Sequence, residues 1–264
     1  MIKGIGFSFD VMKFPVGETH VKLHSYFSGV EVGVVFDFEK TDEIITLMLL
    51  VNALKHAGLK FKNLYLSYVP FGRQDRVAVH GECFSLEVFA DIINGLGAER
   101  VFVTDPHSDV TTALIKNCVI NPQEAVFERI LGQLQGNFYL ISPDGGALKK
   151  IYKTASLPSL TTKCLGVVEC SKIRDVRSGA ILKTVVHTET LDGFDCVVLD
   201  DICDGGRTFI EIAKALKKKK AGKIILCVTH GFFTKGLDVF EGLFDEIYTK
   251  NGVVREFNPI RVKE

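Results

Sequence analysis

The sequence has no net charge: its 32 Lys and Arg residues are matched by 32 Asp and Glu residues. Nothing in that balance draws the chain to nucleic acid or to an acidic membrane, so neither is expected as a partner. Long apolar runs are also missing, and no segment is of a length to span a bilayer. The opening MIKGIGFSFDVMKF lacks the apolar stretch of a secretory signal. The 7 cysteines are an odd number, and none are paired at zinc-like spacing. Several lie in apolar runs, where a reduced cysteine serves as a small core residue. A reducing, cytoplasmic setting is therefore expected. Finally, no low-complexity linker interrupts the chain.

What is present is a globular composition, 47% hydrophobic and 24% charged, over 264 residues. That length accommodates two domains of about 130 residues each. We place the boundary near Asn121-Pro122, giving domains 1–121 and 122–264.

The most informative stretch is CVVLDDICDGGRTFIEIAKALKKKKA, residues 196–221. Residues 196–199 have the look of a strand buried on both faces. Asp200 and Asp201 end it, and a tight loop follows: Asp204, Gly205, Gly206, Arg207 and Thr208. An amphipathic helix comes next, with Ile212, Ala215 and Leu216 expected inside. Glycines let backbone N–H groups turn toward an anion. The helix start adds partial positive charge, so a phosphate fits there. The two carboxylates would repel that phosphate; sugar hydroxyls or a divalent cation are their natural targets. The parts together describe a pocket for a sugar phosphate. Cys203 lies beside this loop, with nothing nearby that marks it as an activated thiol. The run Lys217, Lys218, Lys219 and Lys220 reads as a solvated helix end.

The rest of the chain alternates strand, loop and helix. Residues 1–36 are a β-rich start, with a loop at residues 14–18. Residues 41–56 form a helix whose inner face is Ile44, Leu47, Leu50, Val51 and Leu54, ended by Gly58. A strand over 64–69 leads into the loop Phe71-Gly72-Arg73-Gln74-Asp75-Arg76. A helix over 84–96 and a buried strand over 101–104 follow, and His107 lies just beyond that strand. The pattern restarts with a helix over 124–135 and a strand over 138–142. Asp144, Gly145 and Gly146 open the next helix. Residues 165–170 are a strand, 171–178 a charged loop carrying Lys172 and Arg174, and 181–188 and 224–229 further strands. Such alternation implies an α/β fold with mostly parallel sheets flanked by helices. Ligands in such sheets collect outside the carboxyl ends of the strands, where the Arg73 and His107 loops fall.

Five segments, in order, carry a resemblance. YVPFGRQDR (68–76), GLGAERVFVTDPHSD (95–109), SPDGG (142–146), CSKIR (170–174) and VTHGFFTKG (228–236) look like the signature segments of phosphoribosyl-pyrophosphate (PRPP) synthetases, the ribose-phosphate pyrophosphokinases. The sugar-phosphate loop is similar to theirs and to that of type I phosphoribosyltransferases, which have no counterpart to the Arg73-Gln74-Asp75 triplet. The resemblance implies two tandem phosphoribosyltransferase-like domains. It also implies transfer of a diphosphate from ATP to the anomeric hydroxyl of ribose-5-phosphate, giving PRPP and AMP, with Mg2+ as cofactor.

The same resemblance implies residue roles. Arg73, Gln74 and Asp75 would hold ATP on the first domain, with Arg73 pairing bidentately with phosphate. Phe14, Gly17 and Glu18, donated by a neighbouring copy, would hold adenine. Phe14 would stack, and Glu18 would accept from the exocyclic amine. This predicts at least a homodimer, with the family's hexamers left open. His107, also on the ATP side, and Asp144 would bind the metal. Asp144, Gly145 and Gly146 would cradle the moving diphosphate. Arg174, Asp200, Asp201 and the loop from Asp204 to Thr208 would hold ribose phosphate. Lys172 and Arg174 resemble the family's catalytic Lys-x-Arg pair, set to meet charge in the transition state.

The sequence also departs from the family's pattern. Val16 stands where Asp or Asn is usual, and Arg207 replaces part of a Thr-Gly-Gly-Thr pattern, so a hydroxyl is lost and a guanidinium gained. The chain ends soon after its last strand, at NPIRVKE, without the family's long C-terminal helical segment. This compact form suggests a phage-type relative, and Arg207 suits a larger anion, so ADP-ribose is an alternative acceptor. A phosphoribosyltransferase, or a non-catalytic subunit of a synthetase assembly, are the remaining alternatives.

Overall fold

In the computed structural model the chain is described at residues 1–174 and 181–257, with the backbone alone at 172–174 and 181–183. It divides into two compact units, Met1–Pro122 and Gln123–Glu264.

The first unit runs β1 (Ile2–Ile5), β2 (Ser8–Lys13), β3 (Thr19–His24), β4 (Glu31–Phe36), α1 (Asp42–His56), β5 (Lys60–Leu66), α2 (Ser85–Leu96), β6 (Arg100–Thr104), α3 (Asp109–Leu114) and β7 (Cys118–Asn121). Its sheet has the order β1-β4-β5-β6-β7. The β4–β7 pairings are parallel, and β1 adds an antiparallel edge. Strands β2 and β3 pair only with each other, as a hairpin. Helix α1 buries Ile44, Leu47, Leu50, Val51 and Leu54, the stripe expected from its spacing. They pack with alternate residues Val32, Val34, Phe36, Leu64, Leu66, Val101 and Val103 in one core. Helix α2 ends at Gly97, whose φ of 76° is a left-handed cap that glycine adopts without strain.

The second unit runs α4 (Gln123–Gln133), β8 (Phe138–Ser142), α5 (Leu148–Ala155), β9 (Cys164–Arg174), β10 (Ile181–Val186), β11 (Asp195–Cys203), α6 (Arg207–Lys218), β12 (Ile224–Gly231), a 3-10 turn (Asp238–Phe240), β13 (Glu246–Thr249) and β14 (Gly252–Glu256). Its sheet order is β10-β9-β8-β11-β12-β13-β14, with β9 through β13 parallel and an antiparallel strand at each edge. Strand β11 is apolar on both faces because each face meets its own core. Cys196 and Val198 join α6 in one, and Val197 and Leu199 join α4 and α5 in the other. In α6 the buried residues are Phe209, Ile212, Ala213 and Leu216; Ala215 is half-buried beside them.

Three local expectations change. First, Asp200 and Asp201 do not end their strand. Parallel pairing with β12 continues through Asp200↔Val228, Ile202↔His230 and Cys203↔Gly231, because the ladder uses backbone groups and tolerates acidic side chains. Second, Ser171 to Arg174 is not loop. It extends β9, with Ser171 opposite Val185 and Lys172 opposite Thr184. Residues 175–178 of that expected loop lie outside the described residues, as do residues 258–264 at the chain end. Third, Arg207 and Thr208 already belong to α6, so the turn proper is residues 204–206.

No helix among the described residues is long and apolar enough to cross a membrane.

Candidate active site

In the first unit, the loop after β5 is built on aromatics. The Phe71 ring lies 6.4 Å from Phe38 and 6.1 Å from Phe89. Gly72 N–H donates to Val69 O at 3.3 Å and Gln74 N–H to Phe71 O at 2.8 Å, closing the turn. Leu86 N–H donates to Gln74 O at 3.3 Å and ties the loop to α2. Arg73 and Gln74 are left exposed, whereas Asp75 is buried. Arg76 donates to the Asp75 carboxylate through Nε at 2.7 Å and Nη2 at 3.1 Å. That guanidinium above all, with the Ser108 hydroxyl and His107, holds the Asp75 carboxyl down at about 2. Asp75 therefore braces the loop from within. His107 is exposed on the loop following β6, and its Cβ lies 3.5 Å from where a Cβ on Gly72 would be. The two loops are neighbours, which brings Arg73, Gln74, Asp75 and His107 to one end of the sheet.

Phe14, Gly17 and Glu18 lie elsewhere, at the tip of the β2–β3 hairpin. Phe14 N–H donates to Glu18 O and Gly17 N–H to Phe14 O, both at 2.8 Å. The Phe14 ring is 51% exposed and Val16 82%, so the hairpin tip offers a stacking surface to something outside it.

In the second unit the glycine turn leads into α6. Gly206 has φ 76°, left-handed, and a Cβ there would come within 2.4 Å of the Phe240 ring. Only glycine satisfies both constraints. Gly206→Ala is expected to destabilise the unit by about 2–4 kcal/mol, since strain and overpacking add. A thermal melt would read this as a fall in Tm of several degrees.

Asp200 sits one residue from Asp201, whose N–H donates to Asp200 Oδ1 at 2.9 Å. The Asp200 residue keeps partial exposure, yet its carboxyl is closely surrounded by protein. Burial first, and then the charges of Asp201 and Asp144, push that carboxyl well above the ordinary range. Asp144 thus shares the electrostatic environment of Asp200. Asp144 heads the turn after β8: Ser142 Oγ donates to Asp144 O at 2.8 Å, and Gly146 N–H to Asp144 Oδ1 at 3.2 Å. Helix α5 begins only at Leu148, so Asp144, Gly145 and Gly146 form a turn ahead of it. Cys203 is buried, and burial pushes its thiol up to about 12, which keeps it unreactive.

Lys172 and Arg174 stand on β9, two residues apart along the strand. Their side chains lie outside what is described. Among the described residues no group of three or more His, Cys, Asp or Glu is arranged to hold a metal ion. A residue that sequence reasoning passed over is Lys235, whose aliphatic stem lies over Gly205. Lys235 falls within the VTHGFFTKG segment, but only the tertiary fold brings its stem over Gly205.

A family model described as "Phosphoribosyl transferase domain" matches residues 143–240. A ribose-phosphate pyrophosphokinase of Pyrococcus abyssi is 29% identical over 264 residues, covering 96% of this chain and 87% of the relative. One from Mycoplasmopsis pulmonis is 29% identical over 218 residues, covering 80% of this chain and 65% of the relative. The chain is a homologue of the ribose-phosphate pyrophosphokinases. The crystal structure of phosphoribosylpyrophosphate synthetase from Mycobacterium smegmatis shares the fold of this homologue, with a TM-score of 0.79 and 21% identity, covering 92% of this chain and 80% of that one. These pyrophosphokinase relatives reach across both units and not the second alone. They are named for ribose phosphate, and lend no support to an ADP-ribose acceptor.

Proposed function

We propose that this chain is a Mg2+-dependent diphosphokinase. It moves the β,γ-diphosphate of ATP to the anomeric hydroxyl of ribose-5-phosphate, giving PRPP and AMP. The C1 hydroxyl oxygen bonds to the β-phosphorus as the bond from that phosphorus to the bridging oxygen of the α-phosphate breaks. The hydroxyl proton is released, and AMP departs with the bridging oxygen.

The observation that carries the reading is the end of β11. There Asp200 and Asp201 precede a glycine-capped helix start by a few residues. Carboxylates suited to accept from sugar hydroxyls and N–H groups suited to donate to a phosphate thus lie within a few residues of each other along the chain. Arg207 and Thr208, in the first turn of α6, extend the phosphate side. On the first unit, Arg73 and Gln74 project from a braced loop suited to triphosphate, and His107 lies on the adjoining one. Phe14, Gly17 and Glu18 would reach the adenine of a neighbouring copy, which makes the working form at least a homodimer.

Magnesium fits the residues present. The Asp200 carboxyl is raised partly by Asp144, and a cation beside them would relieve that repulsion. A divalent cation of this kind binds one or two protein ligands and completes its shell with water and substrate phosphates. Asp144 on the second unit and His107 on the first would each offer a ligand to the metal, which would neutralise charge on the diphosphate. The turn at Asp144, Gly145 and Gly146 would orient the diphosphate with its backbone N–H groups. Lys172 and Arg174 would meet the charge that develops as it moves.

The test is direct. The purified chain is incubated with ATP, ribose-5-phosphate and MgCl2, and nucleotides are separated. AMP should appear in step with PRPP, and chelation should stop it. ADP as the sole nucleotide product, or none, would overturn the reading.

A further inference from the structure

The segment after β12 is clamped to the glycine turn. Phe232 N–H donates to Cys203 O at 2.8 Å, and Thr234 N–H to Asp204 O at 3.2 Å. Thr234 Oγ1 donates to Asp204 Oδ1 at 2.7 Å. Gly236 N–H donates back to Phe233 O at 2.7 Å, closing a turn with Lys235 inside it. The Lys235 stem then runs over Gly205. A Cβ on that glycine would meet Lys235 Cε at 3.5 Å, Cδ at 3.6 Å and Cγ at 3.8 Å. The ammonium, one bond beyond Cε, is at the rim of the same turn, and the residue is exposed. Among the described residues no acidic side chain pairs with it.

We infer that Lys235 is a second cationic ligand of the acceptor's phosphate, opposite the backbone N–H groups of the glycine turn, and that it helps the enzyme choose phosphorylated over unphosphorylated sugar. This rests on the proposed diphosphate transfer and names a residue the reaction's outline does not include. Three features argue for a built position. The Thr234–Asp204 contacts fix the backbone on both sides of the turn. They also occupy one Asp204 oxygen that would otherwise attract the lysine. And the stem lies along the turn at Gly205, at ordinary van der Waals distance from where a Cβ on that glycine would be, which keeps the exposed ammonium near the turn.

Lys235→Met keeps the stem and removes the charge. Using the full chain, the KM for ribose-5-phosphate should rise about tenfold, the loss of one charge-assisted hydrogen bond. The KM for ATP should stay within about twofold, and Lys235→Arg should recover most of the loss. Preference for ribose-5-phosphate over ribose should shrink by about the same tenfold factor. Turnover by the parent protein tests the transfer reading alone. If the parent forms AMP, an unchanged KM for ribose-5-phosphate in Lys235→Met, or an equal rise in the KM for ATP, overturns the assignment. If the parent forms none, the transfer reading falls. Lys235 is then judged by calorimetric titration with ribose-5-phosphate, where binding by the variant as tight as by the parent overturns it.

Discussion

Lys172→Ala is expected to cut AMP formation by about a thousandfold, with the melting temperature nearly unchanged. Phosphoryl chemistry asks little covalent work of a protein. The diphosphate must be placed in line with the attacking hydroxyl, and the charge that spreads over it must be met by fixed cations. Removing cations that act only as the bond is half broken lowers kcat and leaves ground-state affinity alone. The KM values for ATP and ribose-5-phosphate should therefore shift far less than kcat. Arg174→Ala should behave alike, and the double variant should lose much less than the product of the two, because groups serving one transition state do not act independently. Stability should survive because residues 171–174 are held by the β9–β10 ladder, with Lys172 opposite Thr184. Those bonds belong to the backbone and are indifferent to the side chain. Steady-state AMP assays with a melting control decide the matter: an unchanged kcat removes Lys172 from catalysis.

That ladder also marks where the sequence was hard to read. Apolar periodicity was legible. The stripe Ile44, Leu47, Leu50, Val51 and Leu54 is buried as its spacing implies, and the apolar run of β11 serves two cores. Glycine positions were legible too, since Gly206 and Gly97 take left-handed backbone that other residues resist. What misled was charge. The run from Ser171 to Arg174 looks like loop, and Asp200 with Asp201 looks like a strand end, because polar residues in strands are scarce. A ladder is held by N–H and C=O groups, however, and both segments continue as strand where a neighbour offers pairing. Short elements such as α3, β7, β13 and β14 were not anticipated, since four to six residues carry too few periods to register. The candidate site was legible as a set of loops. The inward turn of Asp75 toward Arg76 and the stem of Lys235 over Gly205 depend on contacts between distant segments, and nothing local encodes them.

The other large effect concerns Asp200, where function and stability should oppose each other. Asp200→Asn is expected to lower kcat/KM by about a hundredfold, because the group proposed to accept from a sugar hydroxyl, once a bound cation lets it ionise, becomes a weaker acceptor with a competing donor. The same change should make the protein melt higher at neutral and alkaline pH in chelator. The sign follows from the direction of the shift. Burial, then Asp201, then Asp144 raise the Asp200 carboxyl, so the folded state holds this proton more tightly than the unfolded chain does. As pH rises past the ordinary carboxylate range, the unfolded chain ionises freely while the folded protein resists, and stability falls until the folded group ionises as well. Because Asp200 and Asp201 titrate together, the loss belongs to the pair. Asparagine cannot ionise, so the variant escapes it. Melting curves of both proteins from pH 4.5 to 8 should show the variant's advantage growing with pH. Magnesium should narrow the gap by stabilising the parent more, because a cation beside Asp144 offsets the repulsion that raises Asp200. A variant that melts below the parent at pH 8 in chelator would mean that Asp200 is satisfied by protein contacts. Its place as an acceptor for a sugar hydroxyl would then lose its physical basis.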